Sequence, residues 1–356
     1  MESAKGPYRL VRLKELRDRE IVHYADGTRL VTSRQQLVYL NRQGQANESS
    51  VALPEAGWKK LLGRSRLVRR ALRWDKCNVA PVGKNRENLL ILRNGRVYVF
   101  DPGAQQLHRV LRLRNCRNVL HQSVAVLGDE EIILGEYGSN RDARPVPVYR
   151  SLDGGFSWET VFEFPPGKTR HVHGCYWDPY EKKLWIFTGD ADREVCVLVA
   201  DREFKSVEWL GDGTQRWRAV SAFFTADHVY WITDSPLERN HLIKLHRRSR
   251  TTEKLAPFPG PVWYSKQTTD GFYLAATACE TGPGVLDQYA HLLVSRNLED
   301  WREAARFPWD GWPKGFFKFG VLGFADGAQS SREFYLFGEA LRGLDGVAWQ
   351  CSLEEA

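Results

Sequence analysis

Tyr149-Arg150-Ser151-Leu152-Asp153-Gly154-Gly155-Phe156-Ser157-Trp158 is the stretch from which the architecture follows. Asp153 can turn its carboxylate back onto neighbouring backbone N–H groups, Gly154 and Gly155 admit positive φ, and Trp158 lays a large apolar face against the hairpin. The pattern describes a turn between two strands, and a structural role for Asp153 outweighs a catalytic one.

Outward from this turn the chain reads as strands. VPVYRS leads into it and WETVFEF leaves it, with SVAVLG and EEIILGEY before them, so the turn is the last of a four-strand set. NVAPV, ENLLILR, RVYVFD and HRVLRL form an earlier set, in which Asn94-Gly95 marks a hairpin. Later sets begin at His171, Arg218, Tyr264 and Lys318, and with the start at His121 the period is roughly 45–55 residues. A first, smaller sheet is read from Thr28 onward, and residues 1–20 are a tail or the strand that closes the last set. A four-strand meander has a face it cannot bury alone, and radial repetition packs each sheet on its neighbours. The expected fold is therefore all-β: one β-propeller over residues 1–356, of four-stranded antiparallel blades, seven in number, with six as the alternative.

Ser151, Asp153, Gly155 and Trp158 reproduce the Ser-x-Asp-x-Gly-x-x-Trp pattern, and the stretch resembles the Asp-box, or BNR repeat, of the sialidase-like β-propeller superfamily. A shortened copy, Ser295-Arg296-Asn297-Leu298-Glu299-Asp300-Trp301, falls at the same third-to-fourth strand turn, with Asn297 in the place of Asp153. The resemblance implies a propeller that hydrolyses glycosides, eliminates from polysaccharides, or binds without catalysis. Sialidases themselves carry an Arg-Ile-Pro element, which this chain lacks.

One segment breaks the strand pattern. In GWKKLLGRSRLVRRALR, residues 57–73, the side chains of Trp58, Leu61, Leu62, Val68 and Leu72 fall on one arc of a helical wheel, with Lys and Arg over most of the rest. This predicts a basic amphipathic helical insertion, packed on the fold or laid on an anionic membrane surface.

Composition agrees with sheets. Thirteen Trp and 30 Gly beside a single Met, in 356 residues, favour aromatic-rich strands and tight turns over helix bundles. Lys and Arg number 51 against 44 Asp and Glu, a net +7 that favours anionic partners without choosing one, and a nucleic-acid reading rests on that charge alone. The six cysteines form no Cys-x-x-Cys pair, and the N-terminus has no apolar signal core, so the chain reads as cytoplasmic, with buried thiols. Nucleotide-binding loops, dinucleotide fingerprints and nucleophile elbows are absent from the sequence.

In such a meander the first-to-second and third-to-fourth turns share one end, and the second-to-third loops share the other. The longer loops, Gly138–Val146, Ala191–Glu194, Ser235–Asn240, Glu280–Ala290 and Ala340–Gly346, lie at the second end, which becomes the candidate functional face. His171, His173, Tyr264, Asp190, Glu136 and Asp234 are the candidate acid/base groups there, and His121, Arg141, Arg218, Lys318, Glu280 and Glu339 the candidate substrate-binding groups. His171 and His173 alternate onto one side of a strand, where three roles stay open: metal ligation with Asp190 or Glu136, acid/base work, or hydrogen bonding. No cofactor is required by the sequence, and a divalent metal is the one candidate. The expected function is a glycoside hydrolase or polysaccharide lyase acting on an acidic glycan. The alternative is a non-catalytic propeller that binds a polysaccharide or protein, docked by residues 57–73.

Overall fold

The computed structural model describes residues 2–3, 6–34, 36–41, 47–53, 61–72 and 76–355. Among these the strands form seven antiparallel sheets of four strands, one of them with Glu2–Ser3 as a short fifth strand, and the fold is a seven-bladed β-propeller. The chain divides into two compact units, one of Cys77–Phe258 and one of the residues up to Lys76 with those from Pro259 onward.

Cys77–Phe258 holds four sheets in chain order. The second contains Ala125–Leu127, Glu131–Gly135, Val146–Ser151 and Glu159–Phe164; the third contains Val172–Asp178, Lys183–Thr188, Val197–Ala200 and Val207–Leu210. Middle strands such as Glu131–Gly135 and Val197–Ala200 are buried throughout, because both faces of the second and third sheets meet a neighbour within this unit. Fourth strands such as Glu159–Phe164 are half exposed, with Glu159, Thr160 and Glu163 in solvent, so these polar residues need no buried partner. Ile133, Val148, Val172, Ile186 and Leu198 interdigitate between the second and third sheets; Trp185, Phe187, Val197, Trp231 and Ile243 do so between the third and fourth. Each fully buried Phe contributes about 1.5–3 kcal/mol.

The expected turn is in place. Ser151 Oγ accepts from the Gly155 amide at 2.8 Å, Asp153 accepts from the Ser157 amide and hydroxyl at 2.9 and 2.6 Å, and Trp158 Nε1 donates to Gly155 O at 2.7 Å. Gly155 has φ 97°, and a Cβ there would sit 3.0 Å from Leu90 Cδ1, so the turn needs glycine on two counts. In the other unit the shortened copy repeats the Trp contact, with Trp301 Nε1 donating to Leu298 O at 2.7 Å.

In that second unit, Tyr8–Leu16 pairs antiparallel with Ala348–Glu355, so the N-terminal segment supplies a strand to the C-terminal sheet. The first sheet opens at Ile21–Ala25, ahead of the Thr28 start read from sequence. Buried His23, whose Nε2 meets Ser33 Oγ at 2.7 Å, interrupts the apolar pattern that would have revealed that strand.

The helical insertion differs from its expected form. The described helix is Arg66–Leu72, set off from Leu61–Leu62 by a turn at Gly63; Trp58, Lys59 and Lys60 lie outside the described residues. Its faces are also reversed. Arg69 and Arg70 are buried, while Leu61, Leu62, Leu67 and Leu72 are exposed. Carboxylates explain the reversal: Arg69 pairs with buried Glu20, Arg70 pairs with Asp310, and Arg66 holds Asp345 and Glu20, each at 3.0 Å. Of the two alternatives, an insertion packed on the fold or one laid on an anionic surface, these arginines fit the first, as internal counter-ions. All six cysteines are buried free thiols, and among the described residues no helix is long and apolar enough to cross a membrane.

Candidate functional site

Five of the candidate residues meet within Cys77–Phe258. His171 stands just before Val172–Asp178 and His173 within it, at a point where the register against Lys183–Thr188 shifts. That irregularity brings the two rings together, with Nε2 atoms 3.1 Å apart. Asp190 follows Lys183–Thr188 across Gly189, whose φ is 135°, and reaches both rings: Oδ1 is 3.3 Å from His173 Nε2 and Oδ2 is 3.5 Å from His171 Nε2. Arg218, beside the turn Gln215–Trp217, adds a 3.0 Å ion pair to Asp190 Oδ1 and donates to the Asp190 carbonyl at 2.9 Å. Asp234 approaches Arg218 Nε at 3.5 Å and returns its amide to the Arg218 carbonyl at 2.9 Å.

The outer nitrogens fix the rings. His171 Nδ1 lies 2.6 Å from Gly138 O and His173 Nδ1 lies 2.9 Å from Ala219 O. A carbonyl oxygen only accepts, so both Nδ1 atoms carry the proton and donate. Tyr137 packs its ring 4.3 Å from that of His171. Both histidines are buried, whereas the Asp190 side chain is 32% exposed and forms the accessible edge of the cluster. Burial pushes the Asp190 carboxyl up, but the His171 and His173 rings against it outweigh that and hold it far below the usual carboxylate range. Burial pushes His173 down, and the nearby Asp190 carboxylate does not fully restore it.

The remaining candidates do not join this cluster. Glu136 accepts from the amides of Arg114 and Asn115 at 2.5 and 2.8 Å and from Tyr149 Oη at 2.9 Å, so its carboxylate ties down the preceding loop. His121 is buried ahead of Ala125–Leu127, and Arg141 is exposed on Gly138–Val146. Tyr264, Glu280, Lys318 and Glu339 belong to the other unit. There Tyr264 lies in the hydrophobic core, Glu280 accepts from Trp263 Nε1 at 2.7 Å, and Lys318 pairs with Glu339 at 3.1 Å.

Two features escape the sequence reading. Gln215 binds the loop after Asp190, donating to Asp190 O and Asp192 Oδ1 at 3.1 and 3.0 Å; a lone Gln beside a Trp gives no signal of this. An open cleft of about 580 Å³ also lies at the short-turn end, lined by Tyr180, His228, His246, Arg247 and Arg248 among others. Its signal in the sequence was the basic run His246-Arg247-Arg248.

No family model matches the chain, and a search of curated proteins finds no match. Among solved structures, YCF48 bound to a D1 peptide superposes with a TM-score of 0.57 at 12% identity, over 97% of this chain and 95% of that one. A TolB-like protein from Agrobacterium tumefaciens aligns with a TM-score of 0.42 at 10% identity, over 65% of this chain and 82% of its own. The first likeness supports the β-propeller fold.

Proposed function

We propose that the chain is a non-catalytic β-propeller that binds a protein or peptide partner through the second-to-third-strand loops of Cys77–Phe258. The observation that carries this reading is a charge pattern repeated on three successive loops. Exposed Arg141 stands beside exposed Asp142, Asp192 beside Arg193, and Glu238 beside Arg239. Loops that present both signs complement a polypeptide that carries both signs, whereas a uniformly acidic polysaccharide meets an acid on every one of them.

The cluster beneath these loops supports binding over turnover. In most glycoside hydrolase families the reaction needs a protonated carboxyl group facing a second carboxylate. Asp190 is held ionised, Asp234 is engaged with Arg218, and Glu136 is engaged with loop amides. A fixed set of polar groups under surface loops is a scaffold for recognition. The peptide carried by the similar YCF48 propeller fits the same reading, while the Asp-box resemblance is matched in turn geometry alone, which carries no glycan chemistry.

The test is selection from a displayed random-peptide library on the immobilised protein, with a panel of acidic and neutral polysaccharides in parallel. The expected result is enriched peptides whose binding falls at least about tenfold with Arg141→Glu, Arg193→Glu and Arg239→Glu combined. New reducing ends or unsaturated products from any polysaccharide, with no enriched peptide, would overturn the proposal.

A further inference from the structure

The geometry points to a transition-metal site, of the kind that takes Zn²⁺, formed by His171 Nε2, His173 Nε2 and the Asp190 carboxylate. The inference stands independently of which partner the loops bind.

The first argument is where the lone pairs point. Because each Nδ1 donates to a backbone carbonyl, Gly138 O or Ala219 O, Nε2 is the ring atom left facing the other histidine and the carboxylate, and when deprotonated it presents a lone pair there. Those lone pairs face each other at 3.1 Å, with the Asp190 carboxylate alongside. Three electron-pair donors that converge in a mostly buried place repel one another unless a cation lies between them. Ring N–H donation to a backbone carbonyl is also the usual way in which a metal-binding histidine is oriented and made more basic.

The second argument is size. Zn–N and Zn–O bonds of about 2.0–2.1 Å at tetrahedral angles place neighbouring donor atoms about 3.3 Å apart. With Oδ2 as the ligating oxygen, the separations between donor atoms that bear on this are 3.1 Å between the two Nε2 atoms and 3.5 Å between His171 Nε2 and Asp190 Oδ2. The donor atoms all lie within 4.8 Å of one another. Arg218 at 3.0 Å from Oδ1 then serves as the outer partner of a carboxylate that ligates through its other oxygen, and its charge is balanced in turn by Asp234.

Two imidazoles and one carboxylate select a borderline-soft divalent ion over Mg²⁺ or Ca²⁺, which take oxygen ligands. Three protein ligands leave the fourth tetrahedral position for water or for a donor atom of a bound partner.

The test uses the full chain, stripped with a chelator and dialysed, then titrated with Zn²⁺ by calorimetry and with Co²⁺ by visible absorption. The expected result is one ion per chain, tetrahedral Co²⁺ bands, and a loss of affinity of at least about tenfold in His171→Gln and in His173→Gln. Absence of saturable uptake by the wild-type chain would overturn the inference and assign the space between the rings to a proton. Undiminished uptake by both variants, with native circular dichroism, would overturn it equally. The wild-type titration decides the matter if either variant fails to fold.

Discussion

Arg69, on the helix Arg66–Leu72, forms a buried ion pair with Glu20, and the same guanidinium donates to Gly63 O at 2.5 Å. The segment that looks most like a surface feature in sequence is thus held by inward-pointing cations. Removing Glu20 strands the buried Arg69 guanidinium, a loss of about 3–5 kcal/mol, whereas removing Arg69 costs less because Arg66 still holds Glu20 at 3.0 Å. In urea unfolding Glu20→Leu should lose about 3–5 kcal/mol of stability and Arg69→Met less, and the double variant should recover part of the Glu20→Leu loss. Neutralising Arg69 and Arg70 should therefore destabilise this unit. Unchanged stability in the single variants would refute the pairing.

The exposed leucines of the same segment should behave oppositely. Leu61, Leu62, Leu67 and Leu72 face solvent, so Leu67→Ser should change stability by no more than about 0.5 kcal/mol. A loss of 2 kcal/mol or more, roughly what truncating a core leucine costs, would mean that this face is covered.

The Asp-box turn should prove structural. Gly155→Ala places a Cβ 3.0 Å from Leu90 Cδ1 at φ 97°, and should destabilise by about 1–3 kcal/mol. Because the box lies at the opposite strand ends from the proposed binding loops, affinity for a selected peptide should not change in the folded variant. A specific loss of affinity at full stability would move the functional face.

Stability should also depend on His291, in the unit formed by the two chain ends. Burial pushes this imidazole down, but Asp287 Oδ1 at 2.9 Å from Nε2 and the Glu303 carboxylate on Nδ1 overcome that and raise it to about 9. Since the folded value lies above the unfolded value of about 6.5, protonated His291 stabilises the native state. That contribution, at most about 3 kcal/mol, is complete below pH of about 6.5 and is lost as pH rises to about 9. Melting temperature against pH should fall more steeply across this window in the wild type than in His291→Asn. Parallel curves would contradict the assignment.

Much of the fold was legible because its signals are local. The turn chemistry of Ser151–Trp158 fixes which strands flank it, and the repeated strand sets then fall into phase without any long-range information. The face of the Arg66–Leu72 helix was not legible, because an apolar arc implies burial only when no acids wait beneath the basic one. Glu20, Asp310 and Asp345 are all remote from that helix in sequence. For the site, residue types marked His171, His173, Asp190, Arg218 and Asp234 as neighbours in the repeat. What sets the histidine tautomers is a pair of backbone carbonyls, at Gly138 and Ala219, and carbonyls leave no trace in sequence. Glu136 shows the converse: its type and position matched the others, and its lone pairs went to loop amides.

The most direct test of the central claim is a double-mutant cycle on a peptide selected by the protein, measured by fluorescence anisotropy. It combines Arg193→Glu with acid-to-lysine swaps along the peptide. The account predicts that one swap restores binding to Arg193→Glu while weakening binding to the wild type, with a coupling energy of about 0.5–3 kcal/mol. Strictly additive losses for every swap, together with turnover of a polysaccharide by the wild-type chain, would contradict it.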